Sequence, residues 1–111
     1  MDRTRLLLVA AGGAVGAVTR HAVGVAVGTP PGTLAANVAG SLLLGLLIAR
    51  SLPDRVASFA TTGFCSSFTT YSTFALETLT LPPPVAAAYV AGTYGLGIVA
   101  AAVGVRLGGR L

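Results

Sequence analysis

A run of hydroxyl and aromatic side chains lies in the middle of a long apolar stretch of this sequence. The run is Ser66-Ser67-Phe68-Thr69-Thr70-Tyr71-Ser72-Thr73-Phe74, and the stretch extends from Val56 to Leu79. If the stretch crosses a bilayer, as its length allows, these polar groups need partners in protein or in a water-filled path, away from lipid. A polar, aromatic-lined path through a membrane indicates permeation by a small solute or ion.

The composition of the chain is that of a membrane protein. Its 111 residues are 54% hydrophobic and 9% charged, which is too little charge to cover a soluble globule. The net charge of +4 comes from arginine, with no lysine, and the arginines stand at the ends of apolar segments rather than in one patch. This distribution argues against nucleic-acid binding.

Four apolar segments are each close to the length that a spanning helix needs. They cover about residues 6–27, 33–49, 56–79 and 85–107. Proline and glycine interrupt the short connections between them. The sequence therefore predicts an all-α membrane protein with a single transmembrane domain, residues 1–111, of four helices.

The arginines are distributed unevenly between the two ends of these segments. Six would lie on one face of the membrane: Arg3, Arg5, Arg50, Arg55, Arg106 and Arg110. The other face has only Arg20 and His21. The positive-inside rule then predicts a multi-pass protein of the cell membrane with both termini in the cytoplasm.

Small residues recur one helical turn apart. The pairs are Gly12 and Gly16, Gly24 and Gly28, Ser41 and Gly45, and Gly104 and Gly108. Such pairs let helix backbones approach closely, which predicts tight helix packing. The alternative is that glycine is simply frequent in transmembrane helices.

Three motifs in a fixed order span nearly the whole chain. They are Gly12-Gly13-Ala14-Val15-Gly16-Ala17-Val18-Thr19-Arg20, then Gly32-Thr33-Leu34-Ala35-Ala36-Asn37-Val38-Ala39-Gly40, then Gly63-Phe64-Cys65 followed by the run described above. Together they resemble the Fluc/CrcB family of fluoride channels. The resemblance implies four-helix subunits that form an antiparallel dimer, with a third helix broken at its middle. It also implies two narrow fluoride pores at the dimer interface and a central structural sodium ion. Membrane electrostatics then predicts passive export, because a negative cytoplasm drives fluoride outward through an open anion path, which would lower its toxicity.

The resemblance implies that the backbone carbonyls of Ser66 and Thr69 hold the sodium ion together with the same pair from the partner. An interrupted helix frees carbonyl oxygens, and burial in protein makes this tolerable within a membrane. Ser66 stands where the family usually has glycine, which matters only if the backbone there needs a positive φ. The alternative is a continuous helix whose hydroxyls bond back by one turn.

We expect the fluoride path to consist of Asn37, Thr70, Tyr71, Ser72, Thr73, Phe74 and Thr93, and the resemblance implies the two aromatic positions among them. The electropositive edge of an aromatic ring attracts an anion, and Phe74 fits this role. Tyr71 departs from the family's phenylalanine, so its pore is either altered or unused, and the alternative for both rings is simple packing. Asn37 either donates to an anion or to the third helix, or is a purely structural interhelical bond. Hydroxyl donors would replace part of the water that fluoride sheds.

Arg20 and Glu77 are the ionisable groups closest to membrane depth, and both fit the motifs. Arg20 either concentrates anions at an entrance or binds the carbonyls of a helix end. We expect Glu77 to pair with a donor rather than to bind fluoride, because like charges repel. Both are predicted to be structural charges.

No phosphate loop, metal-ligand cluster or nucleophile with a nearby base indicates an enzyme. The competing functions are a four-helix exporter of organic cations, which would need a buried carboxylate absent from the first helix, and a non-conducting partner subunit. The arginine bias adds a hypothesis on assembly, namely that the chain inserts in one orientation and pairs with a related subunit of opposite bias. A homodimer that overrides the bias is the alternative.

Overall fold

The polypeptide folds into helices. The computed structural model describes residues 2–111, and that part of the chain contains no β-strand, so the all-α prediction is confirmed. In chain order the elements are α1 (Arg3–Val27), α2 (Pro31–Ile48), α3 (Asp54–Ala57), a π-helix (Ser58–Cys65), α4 (Ser66–Phe68), α5 (Ser72–Thr80) and α6 (Pro83–Arg110). By length and composition α1, α2 and α6 can each cross a membrane. The fourth helical region, 54–80, is built from the shorter pieces.

The helices extend past several of the predicted ends for identifiable reasons. Asp2 caps α1 by accepting a 2.8 Å hydrogen bond from the Arg5 N–H, so the helix begins at Arg3 instead of near residue 6. Pro31 and Pro83 open α2 and α6, since proline lacks an N–H that the first turn leaves unused. Gly28 ends α1 with φ 85°, a conformation that favours glycine.

The backbone leaves helical geometry once within region 54–80. Thr69 follows α4 in an extended conformation, with φ −85° and ψ 157°, and the helix resumes at Ser72. Before this point the eight residues of the π-helix widen the turn, a feature with no counterpart in the hydropathy pattern. The Asp54 carboxylate forms an ion pair with Arg5, which ties the start of this region to the start of α1.

Glycines allow two close helix contacts. Gly12 and Gly16 of α1 face the carbonyls of Phe59 and Phe64 in the π-helix, where an added Cβ would overlap main-chain atoms. Gly104 and Gly108 of α6 face the carbonyls of Leu42 and Leu46 of α2 in the same way. Both members of two predicted small-residue pairs therefore form backbone contacts, and Gly45 of a third pair meets the carbonyl of Ala101 in the same way. Region 54–68 consequently lies against α1, and α6 lies against α2.

The buried side chains concentrate around the interruption at 69–71. Phe68 and Phe74, on either side of it, are buried, as are Cys65 and Ala36. Most other large apolar side chains face outward, and the most exposed include Leu7, Val25, Leu79 and Ile98. An apolar exterior of this kind suits contact with lipid or with another membrane helix.

Candidate functional site

Asn37 of α2 holds the interruption from one side. Its Nδ2 donates to the Thr70 carbonyl at 2.9 Å, and its Oδ1 accepts from the Thr70 N–H at 2.7 Å. The side-chain amide therefore satisfies both the N–H and the carbonyl of Thr70, which have no partners within a helix. The sequence left open whether Asn37 donates to an anion or to the third helix, and in the structure it bonds to Thr70 of the third helical region. The second N–H of its Nδ2 is not used in this pair.

Arg20 of α1 holds the interruption from another side. Its Nε donates to the Ser67 carbonyl at 3.0 Å. The normal helical partner of that carbonyl would be the N–H of residue 71, which lies beyond the end of α4. A charged donor therefore occupies a carbonyl that the break would otherwise leave open.

Ser66 and Thr69 keep carbonyls without a backbone donor. The N–H four residues after Ser66 is that of Thr70, and it bonds to Asn37 instead. The N–H four residues after Thr69 is that of Thr73, and it donates to the Thr70 hydroxyl at 3.2 Å. Among residues 2–111 no other backbone N–H donates to either oxygen. These two oxygens are the ones for which the resemblance implies a cation.

The backbone at Ser66 accommodates serine without strain. Its φ and ψ are −63° and −34°, in the right-handed helical region. No residue other than glycine has a positive φ in the part of the chain that the structure describes. Serine in place of glycine therefore leaves the carbonyl geometry available. The Thr69 hydroxyl bonds back to the Cys65 carbonyl at 2.9 Å, as expected for a hydroxyl in a helix, although the backbone does not continue as one.

A cavity of about 500 Å³ opens beside the interruption, between α2, region 58–74 and α6. Five residues of the implied fluoride path line it: Asn37, Thr70, Tyr71, Phe74 and Thr93. Ser66 and Thr69 line it as well. The Oγ1 of Thr93 is buried and has no hydrogen-bond partner among the described residues. The site thus combines unused donors with aromatic rings in one opening.

Glu77 is anchored by two hydroxyls. Its Oε2 accepts from the Thr33 hydroxyl at 3.2 Å and its Oε1 from the Tyr89 hydroxyl at 3.0 Å. Thr33 is 4% exposed, so the network is largely withdrawn from the exterior. Two donors disperse the carboxylate charge next to Phe74, whose ring centroid lies 5.2 Å from that of Tyr89.

A second cavity of about 280 Å³ carries the positive charge of the site. Arg20 and His21 line it together with the hydroxyl residues Thr29, Thr33 and Thr73. The Nε of Arg20 bonds to the carbonyl of Ser67, which is the helix-end alternative left open by the sequence, and its side chain also borders this cavity. Thr33 joins the cavity to the Glu77 network.

The implied path residues do not all gather in one place. Thr73 lines the second cavity rather than the first, and Ser72 is exposed and lines neither. Sequence reasoning missed Tyr89, Thr33 and Tyr94, which contact Glu77 or Phe74. Tyr89 could have been found from the sequence, because it lies two turns into an apolar helix, where the hydroxyl of a tyrosine needs a hydrogen-bond partner.

The fold and the site define a small multi-pass membrane protein in which polar side chains bond to the main chain between α4 and α5, beside an aromatic cavity. Comparison with known proteins gives the family. Residues 7–105 match the family model described as "CrcB-like protein, Camphor Resistance (CrcB)", and the chain belongs to this CrcB family of fluoride channels.

Individual relatives are similar over nearly their whole length. "Fluoride-specific ion channel FluC 1" of Natronomonas pharaonis is 52% identical over 93% of this chain and 92% of its own. "Fluoride-specific ion channel FluC 2" of Halobacterium salinarum is 50% identical over 94% and 86%. A second Natronomonas pharaonis protein, "Fluoride-specific ion channel FluC 2", is 43% identical over 95% of each chain. These relatives are named as ion channels, not enzymes.

Proposed function

We propose that this chain is a subunit of a fluoride-selective channel that passively exports fluoride from the cytoplasm and so lowers its toxicity. One observation carries the proposal. The main-chain break at 69–71 is held by Asn37 and Arg20 so that Phe74, Tyr71 and unused hydroxyl donors border the same cavity. The names of the relatives, all fluoride-specific ion channels, support the choice of ion.

The proposed path runs between the two cavities by way of the implied residues. Arg20 attracts anions into the smaller cavity, where Thr73 offers a hydroxyl. Phe74 then presents a ring edge, and Thr70, Thr93 and the free Nδ2 hydrogen of Asn37 supply donors in place of water. Ser72, exposed next to Tyr71, joins the path where another subunit covers that face.

Selectivity in this proposal comes from donors in a confined space. A small anion recovers more hydrogen-bond energy from closely spaced O–H and N–H groups than a large one does, and charge-assisted bonds are about twice as strong as neutral ones. Glu77 does not oppose the anion directly, because the Thr33 and Tyr89 hydroxyls already bond to its oxygens.

A structural sodium ion belongs to the proposal. The Ser66 and Thr69 carbonyls fit a hard cation because both lack backbone donors among residues 2–111 and both border the larger cavity. Bound there, the ion would supply positive charge that stabilises the unpaired carbonyls of Ser66 and Thr69. In an antiparallel dimer the partner's matching carbonyls complete the oxygen set.

The direction of transport follows from membrane electrostatics. Hydrogen fluoride crosses a bilayer uncharged and dissociates in the more alkaline cytoplasm. A negative interior then drives the anion outward with about 2.3 kcal/mol per charge for each 100 mV. An open path for fluoride is sufficient, and no energy-coupling domain is required.

The subunit is proposed to work as part of an antiparallel dimer whose third crossing is the helix broken at 69–71. The larger cavity and the exposed Tyr71 lie on a face that another subunit would cover. The arginines favour a single orientation with cytoplasmic termini, since Arg3, Arg5 and Arg55 cluster at the Arg5–Asp54 ion pair. Contact between Gly108 and Ala49 brings Arg110 and Arg50 to one end in the same way.

This bias favours a heterodimer with a related subunit of opposite bias over a homodimer. Natronomonas pharaonis has two proteins similar to this chain, as such pairing would require. Topology reporters fused to the C-terminus test the bias: we expect activity only from a reporter that works in the cytoplasm. Equal activity from a reporter that works only outside would favour the homodimer.

Fluoride efflux from liposomes containing the purified protein tests the function, with chloride efflux as the control. Rapid loss of fluoride with retention of chloride would establish a selective channel that needs no second kind of subunit. If folded protein alone gives no flux, co-reconstitution with a relative of opposite arginine bias is the second arm. Absence of fluoride flux in both arms would refute the proposed function.

A further inference from the structure

All three tyrosines of the chain surround Phe74. The ring centroid of Phe74 lies 6.1 Å from that of Tyr71, 5.2 Å from that of Tyr89 and 6.0 Å from that of Tyr94. Tyr94 meets Phe74 almost at a right angle, 87°, so the edge of one ring faces the plane of the other. Phe74 itself is 7% exposed. Its ring is thus fixed by tyrosines from both α6 and the break.

The three tyrosine hydroxyls differ in their partners. Tyr89 donates to Glu77 at 3.0 Å. The hydroxyls of Tyr71 and Tyr94 form no hydrogen bond with any residue of 2–111, and their side chains are 73% and 54% exposed. Both line the larger cavity beside Phe74. A phenol at membrane depth needs an acceptor for its O–H, since lipid supplies none.

A third hydroxyl beside the cavity, that of Thr93, also lacks a hydrogen-bond partner among the described residues. Thr93 precedes Tyr94 in α6, and its Oγ1 is buried without a partner in the described chain. Three hydroxyl groups without an acceptor thus border one opening of about 500 Å³. The cavity therefore offers three hydroxyl donors to an anion, in addition to the Ser66 and Thr69 carbonyls that it also contains.

We propose that the hydroxyls of Tyr94 and Tyr71 donate hydrogen bonds to a fluoride ion held at the edge of Phe74, which makes Tyr94 an anion-contacting residue of the path. This inference rests on the proposed function and adds a residue and a type of donor to it. Phenol O–H groups bond best to a small anion of high charge density, so the pair favours fluoride over chloride. Tyr71 then contributes a hydroxyl donor, whereas a phenylalanine at this position would offer the anion only the edge of its ring.

The chain provides its own spectroscopic reporter of this contact. It contains no tryptophan, so its near-ultraviolet absorbance and fluorescence arise mainly from the three tyrosines around Phe74. Fluoride titrated into the purified protein in detergent, with chloride as the control, is expected to change the tyrosine spectrum in a fluoride-specific way. Tyr94→Phe should remove at least half of the change, and Tyr71→Phe should remove most of the rest.

Tyr89→Phe is the matched control for the spectroscopic experiment. It removes the same atom from a ring that also touches Phe74, but that hydroxyl is already committed to Glu77. At saturating fluoride we expect this variant to keep the fluoride-specific change of the Tyr71 and Tyr94 signals, although at higher fluoride concentrations, because it also removes one of the two donors to Glu77. A spectrum of the unaltered protein that does not respond to fluoride, or a Tyr94→Phe variant that responds like it, would overturn the inference.

Ion flux separates this inference from the proposed function. Tyr94→Phe keeps the ring and is expected to lower the ratio of fluoride to chloride efflux about tenfold, through the loss of one bond to a charged group. Tyr94→Leu also frees Phe74 and should lower fluoride efflux itself. Selective fluoride flux with no change in the tyrosine spectrum would refute the contact between the tyrosine hydroxyls and fluoride but leave the proposed channel function intact. A fluoride-specific change in the tyrosine spectrum without fluoride flux, from the protein alone or with a second subunit, would refute the channel function but leave the binding site intact.

Discussion

The side-chain amide of Asn37 is bonded to the main chain of Thr70 through both of its polar atoms. The distances are 2.9 Å from Nδ2 to the Thr70 carbonyl and 2.7 Å from the Thr70 N–H to Oδ1. A residue whose main chain has left a helix inside a membrane lacks both a donor and an acceptor, and this one side chain supplies both. The pair therefore determines whether the break keeps its shape.

Replacement of Asn37 by alanine should damage stability and conduction together. The variant leaves the Thr70 N–H and carbonyl unpaired, at a cost of about 1–3 kcal/mol for each buried group. We expect a lower melting temperature in detergent and at least a tenfold loss of fluoride efflux. Ser41→Ala is the control, since the Ser41 hydroxyl bonds only to the Asn37 carbonyl of its own helix. Equal melting temperatures for Asn37→Ala and the unaltered protein would contradict the structural role.

Arg20 allows its charge to be tested apart from its hydrogen bond. Glutamine retains an N–H donor for the Ser67 carbonyl, and leucine retains neither donor nor charge. Arg20→Gln should keep the melting temperature close to that of the unaltered protein while lowering fluoride efflux, most strongly at low ionic strength. Arg20→Leu should also lose about 1–3 kcal/mol of stability.

The two Arg20 variants separate the role of the charge from that of the hydrogen bond. Efflux that is equal in Arg20→Gln and the unaltered protein at every salt concentration would mean that the charge does not attract the anion. A melting temperature that falls equally in both variants would mean that the Ser67 contact requires the guanidinium itself.

Removal of sodium should destabilise the protein if the Ser66 and Thr69 carbonyls hold that ion. A ligand present at a hundred times its dissociation constant stabilises the folded state by about 2.7 kcal/mol. Exchange of sodium for N-methylglucamine at constant ionic strength is therefore expected to lower the melting temperature, and added sodium should restore it in a saturable way. Superimposable melting curves in the two buffers would remove the ion from the proposal.

The sequence was sufficient to locate the four helical regions but not to predict the contacts between them. Hydropathy and breakers located the helices to within a few residues, because lipid imposes length and apolarity on each crossing. The contacts that shape the site join residues far apart in the chain, such as Arg20 with Ser67 and Thr33 with Glu77. No local pattern encodes such pairs, since they depend on how the helices pack.

Tyr94 illustrates why part of the site stayed hidden in the sequence. A tyrosine in an apolar helix has the same local pattern whether it faces lipid, a partner or a pore. The packing of α6 against α2 and α5 brings Tyr94 next to Phe74. The π-helix of 58–65 had no sign in the hydropathy pattern either, and its residues Phe59 and Phe64 lie against Gly12 and Gly16, far away in the chain.

The contact between α2 and α6 gives a last prediction, in which two glycines of one helix respond oppositely. A Cβ at Gly104 would overlap the Leu42 carbonyl, so Gly104→Ala must push the helices apart at a cost of about 1–3 kcal/mol. A Cβ at Gly95 meets nothing within 4 Å, and Gly95→Ala should instead gain up to about 1 kcal/mol from helix propensity. Thermal unfolding in detergent checks both. Because α6 carries Tyr94 as well as Gly104, displacement of this helix in the Gly104→Ala variant should lower fluoride efflux along with stability. An equal loss of stability in both variants would mean that the Gly95 face is itself packed against another subunit.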